Sequence, residues 1–355
     1  MEKRIKKIQS VLENNQAALI LGDSNRFYFT GFKSSAGALL ITKEKAVFLV
    51  DFRYFEKANR TVTTAQVVLC ENVYNQIGEI LQSCGVIKLF VETAEITLNT
   101  FLGLSDKLCG IEISKENTLQ SVINQLRQVK TAQEIEFIKS AQEITDKAFE
   151  YILDRISIGK TEKEIALDLE FFARKNGSVG VAFDFIVVSG KNSSLPHGVP
   201  TDKQIKNGDF ITMDFGAKWN GYCSDMTRTV ALGNVSDEQR KVYDTVLTAQ
   251  KMALKKIKAG AKCKEIDSIA REYINAQGYE GCFGHGLGHS VGIDIHESPA
   301  FNTRDNTVLK SGMVMTVEPG IYIENKFGVR IEDMVVVTED GYNNFTQSSK
   351  ELIVL

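Results

Sequence analysis

Residues 284–297 read GHGLGHSVGIDIHE and hold three of the four histidines of the chain, His285, His289 and His296. The fourth, His197, sits in a loop bracketed by Pro196 and Pro200. Imidazole binds metals and moves protons near neutral pH, so histidines gathered between positions 197 and 296 suggest a site. Glycines at 284, 286, 288 and 292 would weaken an element kept only for packing. They do let backbone and ligand approach closely.

Carboxylates supply the rest. In residues 210–217, FITMDFGA, Asp214 interrupts an apolar strand, which is costly unless the carboxylate has a partner. The chain turns through residues 218–221 and returns over 222–230, which carries Asp225. A tight hairpin centred at 219/220 sets Asp214 opposite Asp225. A type I′ turn at Asn220-Gly221 sets it opposite Thr227, with Asp225 diagonal. Either register puts both aspartates on one face. A second hairpin repeats the device. Residues 314–322 carry Glu318, residues 327–337 carry Arg330 and Glu332, and a three- or five-residue loop centred on Asn325 sets Glu318 opposite Glu332. Carboxylates this close repel or share a proton, and a cation between them removes the conflict. Four carboxylates balance two divalent cations, whereas one would leave excess negative charge. Oxygen ligands with one imidazole, His289, suit Mn, Co or Fe, and Zn is admissible.

The elements that must position these groups fall into two sets. Up to about residue 125, strands (17–22, a hairpin over 37–50, 66–70, 87–91) alternate with helices (54–60, 72–83, 98–108). That is an α/β domain, 1–125. Asp51-Phe52-Arg53-Tyr54 reads as an edge-capping turn, and Ile5, Ile8, Val11 and Leu12 line one face of a first helix. In the second domain, 126–355, Thr131 and Glu134 form a capping box opening a helix to about Arg155. Further helices are expected over 161–176, 236–259 and 264–277, with strands over 182–188, 209–217, 222–231, 313–324 and 327–338. This is an α+β domain with antiparallel hairpins.

Composition narrows the partners. A net charge of −3 offers no footprint for nucleic acid or an anionic membrane. No apolar run is long enough to span a bilayer. The six cysteines form no C-x-x-C pair and read as reduced, packed thiols, so a cytoplasmic protein is expected.

The motifs MDFG, SDMTRT, GHGLGHSVGIDIHE, VEPG and RIED, in this order and spacing, resemble those of the pita-bread peptidases. That family comprises Xaa-Pro aminopeptidases, Xaa-Pro dipeptidases (prolidases) and methionine aminopeptidases. The resemblance covers the whole chain, because LLIT and VDFRY resemble the N-terminal domain of the proline-specific members. It implies a creatinase/prolidase-type α/β domain followed by a pita-bread (creatinase/aminopeptidase-like) catalytic domain. It also implies that Asp214 chelates one metal, that Asp225 and Glu332 bridge both, and that His289 and Glu318 complete the second. His197 and His296 would flank the substrate and bond the scissile carbonyl or its oxyanion. His285, with Tyr322, would shape a proline pocket, and Arg330 would orient Glu332 or touch substrate. Glu318 would shuttle the proton to the leaving nitrogen. The partners implied are small peptides with proline in second position, and a second copy of the chain in a homodimer. Methionine aminopeptidases usually lack the first domain and counterparts of Arg330 and His285, while creatinases lack the metal set. The alternatives are a methionine or broad-specificity aminopeptidase of this fold, or a non-catalytic binding relative, although such proteins typically lose ligands.

Overall fold

Residues 17–20, 38–42 and 46–50 are buried at every position, so the strands they form must be covered on both faces. They lie at the centre of a six-stranded sheet in a computed structural model that describes residues 1–355. The chain divides into two compact units, Met1–Arg127 and Gln128–Leu355. No helix is long and apolar enough to cross a membrane.

The first unit runs α1 (Glu2–Val11), β1 (Gln16–Ile20), α2 (Asp23–Thr30), β2 (Ala38–Thr42), β3 (Ala46–Val50), α3 (Phe52–Thr61), β4 (Gln66–Leu69), α4 (Val73–Ser83), β5 (Lys88–Val91), α5 (Leu98–Lys107), β6 (Glu112–Ser114) and α6 (Thr118–Gln128). The strand order is β4-β3-β2-β1-β5-β6. β1, β2 and β3 form an antiparallel meander, and the other three join in parallel. Asp51 is the N-cap of α3 and accepts from the Arg53 N–H at 2.9 Å. Hydrophobic periodicity does not announce α2, whose buried face includes Asn25, Arg26 and Thr30. Its start is held from far away in sequence: the Glu92 carboxylate accepts from the N–H groups of Leu21 and Gly22 and from Asn25.

The second unit opens with α7 (Ala132–Leu153) and α8 (Glu162–Lys175), each started by a capping box, Thr131/Glu134 and Thr161/Glu164. Caps of this kind contribute about 1 kcal/mol each. There follow β7 (Ile186–Ser189), β8 (Phe210–Phe215), β9 (Lys218–Trp219), β10 (Tyr222–Cys223), β11 (Met226–Ala231), α9 (Asp237–Leu254) and α10 (Cys263–Ile274). The remainder is strand: β12 (Gly288–Ser290), β13 (Glu297–Phe301), β14 (Val314–Val317), β15 (Gly320–Ile323), β16 (Phe327–Arg330), β17 (Asp333–Val337) and β18 (Tyr342–Asn344). Two larger sheets result, β11-β8-β7 and β13-β12-β14-β17-β18. α7 and α8 pack on the first, α9 and α10 on the second.

Two hairpins govern the site. Asn220 (φ 47°) and Gly221 (φ 88°) form a two-residue loop with both residues left-handed, the type I′ geometry. Trp219 therefore pairs with Tyr222, and the same register carries Asp214 to a position opposite Thr227. Gly216 lies between, where a Cβ would stand 1.9 Å from the Ser224 carbonyl oxygen, so only glycine fits. In the second hairpin a three-residue loop centred on Asn325 (φ 57°) pairs Ile323 with Phe327. Its register runs on to Val317 opposite Asp333 and so sets Glu318 against Glu332.

Three of the four long strands expected here are broken where a carboxylate sits, at Asp225, Glu318 and Glu332, while β8 runs unbroken through Asp214. Pro319 has no N–H to give the ladder. The Glu318 N–H turns to the Leu287 carbonyl (2.8 Å), and the Glu332 N–H to that of Thr227 (3.1 Å). The strand expected over 182–188 is also interrupted. The Ala182 N–H bonds the Gly216 carbonyl, while Ile186 pairs with Asp214. Residues 183–185 thus bulge out opposite Phe215 alone.

Candidate metal centre

Five groups from five chain segments converge between the sheets of the second unit. Asp214 comes from β8, Asp225 from just before β11, His289 from β12, and Glu318 and Glu332 from the two strand breaks of the second hairpin. His289 Nε2 lies 3.4 Å from Glu318 Oε1 and 3.5 Å from Asp225 Oδ2. Ligand atoms of Asp225, His289 and Glu332 all lie within 4.8 Å of one another. Oδ1 of Asp214, Oδ1 of Asp225 and Oε1 of Glu332 are buried without a hydrogen-bond partner. A buried acceptor left this way costs about 1–3 kcal/mol, more when charged. The donor set therefore fits cations. His289 Nδ1 is 3.2 Å from the Ser290 carbonyl. A carbonyl only accepts, so Nδ1 carries the hydrogen and the Nε2 lone pair faces the carboxylates.

The electrostatics agree. Burial, then the neighbouring carboxylates, push Asp225 and Glu332 well above the usual carboxylate range. Burial first, offset by Arg330, raises Glu318 to about 8. Burial, with His296 adding to it, lowers His289 to about 4. The protein alone thus favours protonated carboxyls and neutral imidazole, and divalent cations would reverse the carboxyl preference.

Around the cluster runs a directed chain of hydrogen bonds. Arg330, 3% exposed, donates to Asp214 Oδ2 at 2.6 Å, to Thr227 Oγ1 at 3.0 Å, to the Tyr322 hydroxyl at 2.7 Å and to the Pro196 carbonyl at 3.2 Å. Thr227, having accepted, donates to Glu332 Oε2 at 2.8 Å. His285 Nδ1 lies 2.8 Å from the Gly286 carbonyl, so its Nε2 accepts from the Tyr322 hydroxyl at 2.9 Å. Burial pushes Tyr322 up to about 12 and His285 down to about 4. Arg330 therefore pairs directly with Asp214, and it reaches Glu332, which the resemblance has it orient, only through Thr227. Its strand partner is Gly320, which leaves the guanidinium free to extend toward β8. Thr227 was not singled out from the sequence as a site residue. The signal lay in the type I′ register, which alone puts it across from Asp214.

The cluster opens on a cavity of about 710 Å³. Asp214, Asp225, His289 and Glu318 line it, as do His197, His285, His296 and Arg330. Glu332 and Tyr322 stand behind its wall, joined to it through Thr227 and Arg330. The rings of His289 and His296 lie 4.5 Å apart. The apolar wall comes from Ile295, Phe301 and the region of the bulge, where Phe183, Phe185 and the flanking Ile186 line the cavity, as does the carboxylate-bearing Asp184. A regular strand would present only alternate residues.

Comparison with known proteins places this arrangement. The profile of metallopeptidase family M24 matches residues 136–339, and that of the creatinase/prolidase N-terminal domain matches residues 4–129. The chain is 38% identical to an Xaa-Pro dipeptidase of Pyrococcus furiosus, over 99% of this chain and 100% of that one. It superposes on the structure of an Xaa-Pro dipeptidase from Bacillus anthracis with a TM-score of 0.95 at 40% identity, covering 99% of each chain. An X-Pro aminopeptidase structure from Thermotoga maritima gives a TM-score of 0.91 at 38% identity, covering 98% of this chain and 100% of that one.

Proposed function

The chain belongs to metallopeptidase family M24, and from that premise we propose that it is an exopeptidase that hydrolyses the bond between an N-terminal residue and a following proline. The observation that carries this is the ligand set itself: three orphaned buried carboxylate oxygens and a histidine with its lone pair turned toward them, on a cavity also lined by three further histidines. Relatives named for Xaa-Pro cleavage, aligned end to end, support the substrate class.

Asp214, Asp225, His289, Glu318 and Glu332 would hold two divalent cations, Mn or Co by preference, with Fe or Zn accommodated by the same donors. Such a pair supplies Lewis acidity at a scissile carbonyl and a nucleophilic water at neutral pH. The residues of the chain do the rest. His296 and His197 offer N–H groups to the carbonyl oxygen as negative charge develops there. Glu318, at the cavity wall, carries the proton to the leaving proline nitrogen. Arg330 holds Asp214 and, through Thr227, Glu332. His285, fixed by Tyr322, forms part of the proline pocket with His197. We assign residues 1–125 to the creatinase/prolidase-type domain and 126–355 to the catalytic domain.

Proline leaves as a tertiary amide nitrogen with no N–H, so the pocket must select it by shape. One missing methylene is worth about 1–3 kcal/mol, so losing most of the ring should give a preference of roughly a hundredfold or more. The test is kcat/KM of the Mn- or Co-loaded protein for Ala-Pro and Ala-Pro-Ala against Ala-Ala, Ala-Ala-Ala and Met-Ala-Ser. Preference for the proline substrates is expected, and the ratio of Ala-Pro to Ala-Pro-Ala separates dipeptidase from aminopeptidase. Equal cleavage of the alanine or methionine peptides would replace this reading with a broad or methionine aminopeptidase.

A further inference from the structure

A buried ion pair lies beneath the loop that joins His289 to His296. Residues 291–296 leave the sheet between Ser290 and Glu297, which are partners across β12 and β13. Glu297 folds its carboxylate back under this loop, where Oε1 accepts from the N–H groups of Ile293 at 3.0 Å and Asp294 at 3.3 Å. Gly292 makes room: a Cβ there would stand 2.5 Å from that same oxygen. Lys130 Nζ lies 3.3 Å from the other oxygen, Oε2, and donates to Ser290 Oγ at 2.7 Å. The side chains of Lys130 and Glu297 are 2% and 6% exposed. Ser290 in turn gives its carbonyl to His289 Nδ1, and Glu297 directly follows His296. One ammonium therefore grips both ends of the loop, each beside one of two imidazoles whose rings are 4.5 Å apart.

Such a pair is weak as a source of net stability, since apolar side chains of like volume often do as well. Its charge-assisted bonds do have fixed directions, and groups behind a ligand set that ligand's orientation. We propose that Lys130 and Glu297 are positioning residues that fix the ring orientations of His289 and His296 relative to one another. What the rings do rests on the peptidase reading above; where they are held does not.

The test compares Lys130→Met, which removes the ammonium, Lys130→Arg, which keeps a cation, and the double variant Lys130→Met/Glu297→Gln, which removes both charges. The first readout is the nitrogen–proton spectrum of histidine rings in metal-free protein labelled at histidine. The His289 and His296 resonances should shift in Lys130→Met and return toward wild type in Lys130→Arg, while those of His197 and His285 stay in place. The second readout is kinetic. In the metal-loaded Lys130→Met protein, kcat on Ala-Pro should fall about 10–100-fold, the usual effect of a group behind a metal ligand, with KM little changed. A folded Lys130→Met protein with wild-type ring resonances and kcat would overturn the proposal. Should that variant fail to fold, the double variant decides: shifted resonances support the proposal, and unshifted ones or a second failure to fold overturn it. A wild-type protein inactive on Xaa-Pro peptides would sink only the peptidase reading, because the spectra are taken without metal or substrate.

Discussion

The Thr227 hydroxyl donates to the Glu332 carboxylate at 2.8 Å, joining the first hairpin to the second. Arg330 donates to the same hydroxyl, whose single hydrogen goes to Glu332. One side chain thereby orients a carboxylate whose other oxygen faces the cluster unpaired.

Thr227→Val keeps the shape and removes the hydroxyl. Metal affinity or activity should fall about 10–100-fold. Titration of the metal-free protein with Mn or Co by calorimetry checks this, and wild-type affinity with wild-type kcat would reduce Thr227 to packing.

Asp225→Ala and Glu332→Ala should each lose bound metal together with activity, because each is assigned to hold both cations. Metal analysis after gel filtration decides. Full retention of two metals in either variant would mean that the ligands are wrongly assigned.

His296→Ala should keep its metals and lose about 10²–10³ in kcat, as when one oxyanion donor is removed. Near-normal kcat would leave His296 a structural neighbour of His289.

The metal-free protein should lose stability as pH rises from about 6.5 to 8. Folded Glu318 keeps its proton to about pH 8, whereas its ordinary value is 4.5. Between those values the folded state binds more protons than the unfolded, so stability falls as pH rises. Asp225 and Glu332, also raised, act in the same direction. His285 and His289 oppose this only below 6.5, since their folded values of about 4 lie under that ordinary value. Thermal melts with and without Mn across this range test the sign. A metal-free Tm that rose with pH would contradict it, and metal should remove the decline.

Much of the site was legible because strand geometry has a period of two. That period alone put Asp214 with Asp225, and Arg330 with Glu332, on shared faces. The choice between hairpin registers needed backbone angles, since Asn220-Gly221 permits a turn that the sequence does not compel. The bond from Arg330 to Asp214 crosses between hairpins, and no local spacing encodes it. α2 escaped notice because polar residues fill its buried face and its start depends on Glu92, far along the chain. β12 and β13 escaped because Gly288 in the one, and Glu297, Pro299 and Ala300 in the other, are poor strand formers, and their pairing is won by tertiary contact.

The bulge at residues 183–185 separates two kinds of change that this protein can undergo. Ala182 and Ile186 carry the ladder on either side, so replacing Phe183 or Asp184 removes none of those hydrogen bonds. Both residues nevertheless line the cavity. Substitution there can therefore reshape the cavity while the metal ligands and their sheet stay untouched, and a library randomised at these two positions is where altered substrate range should appear first.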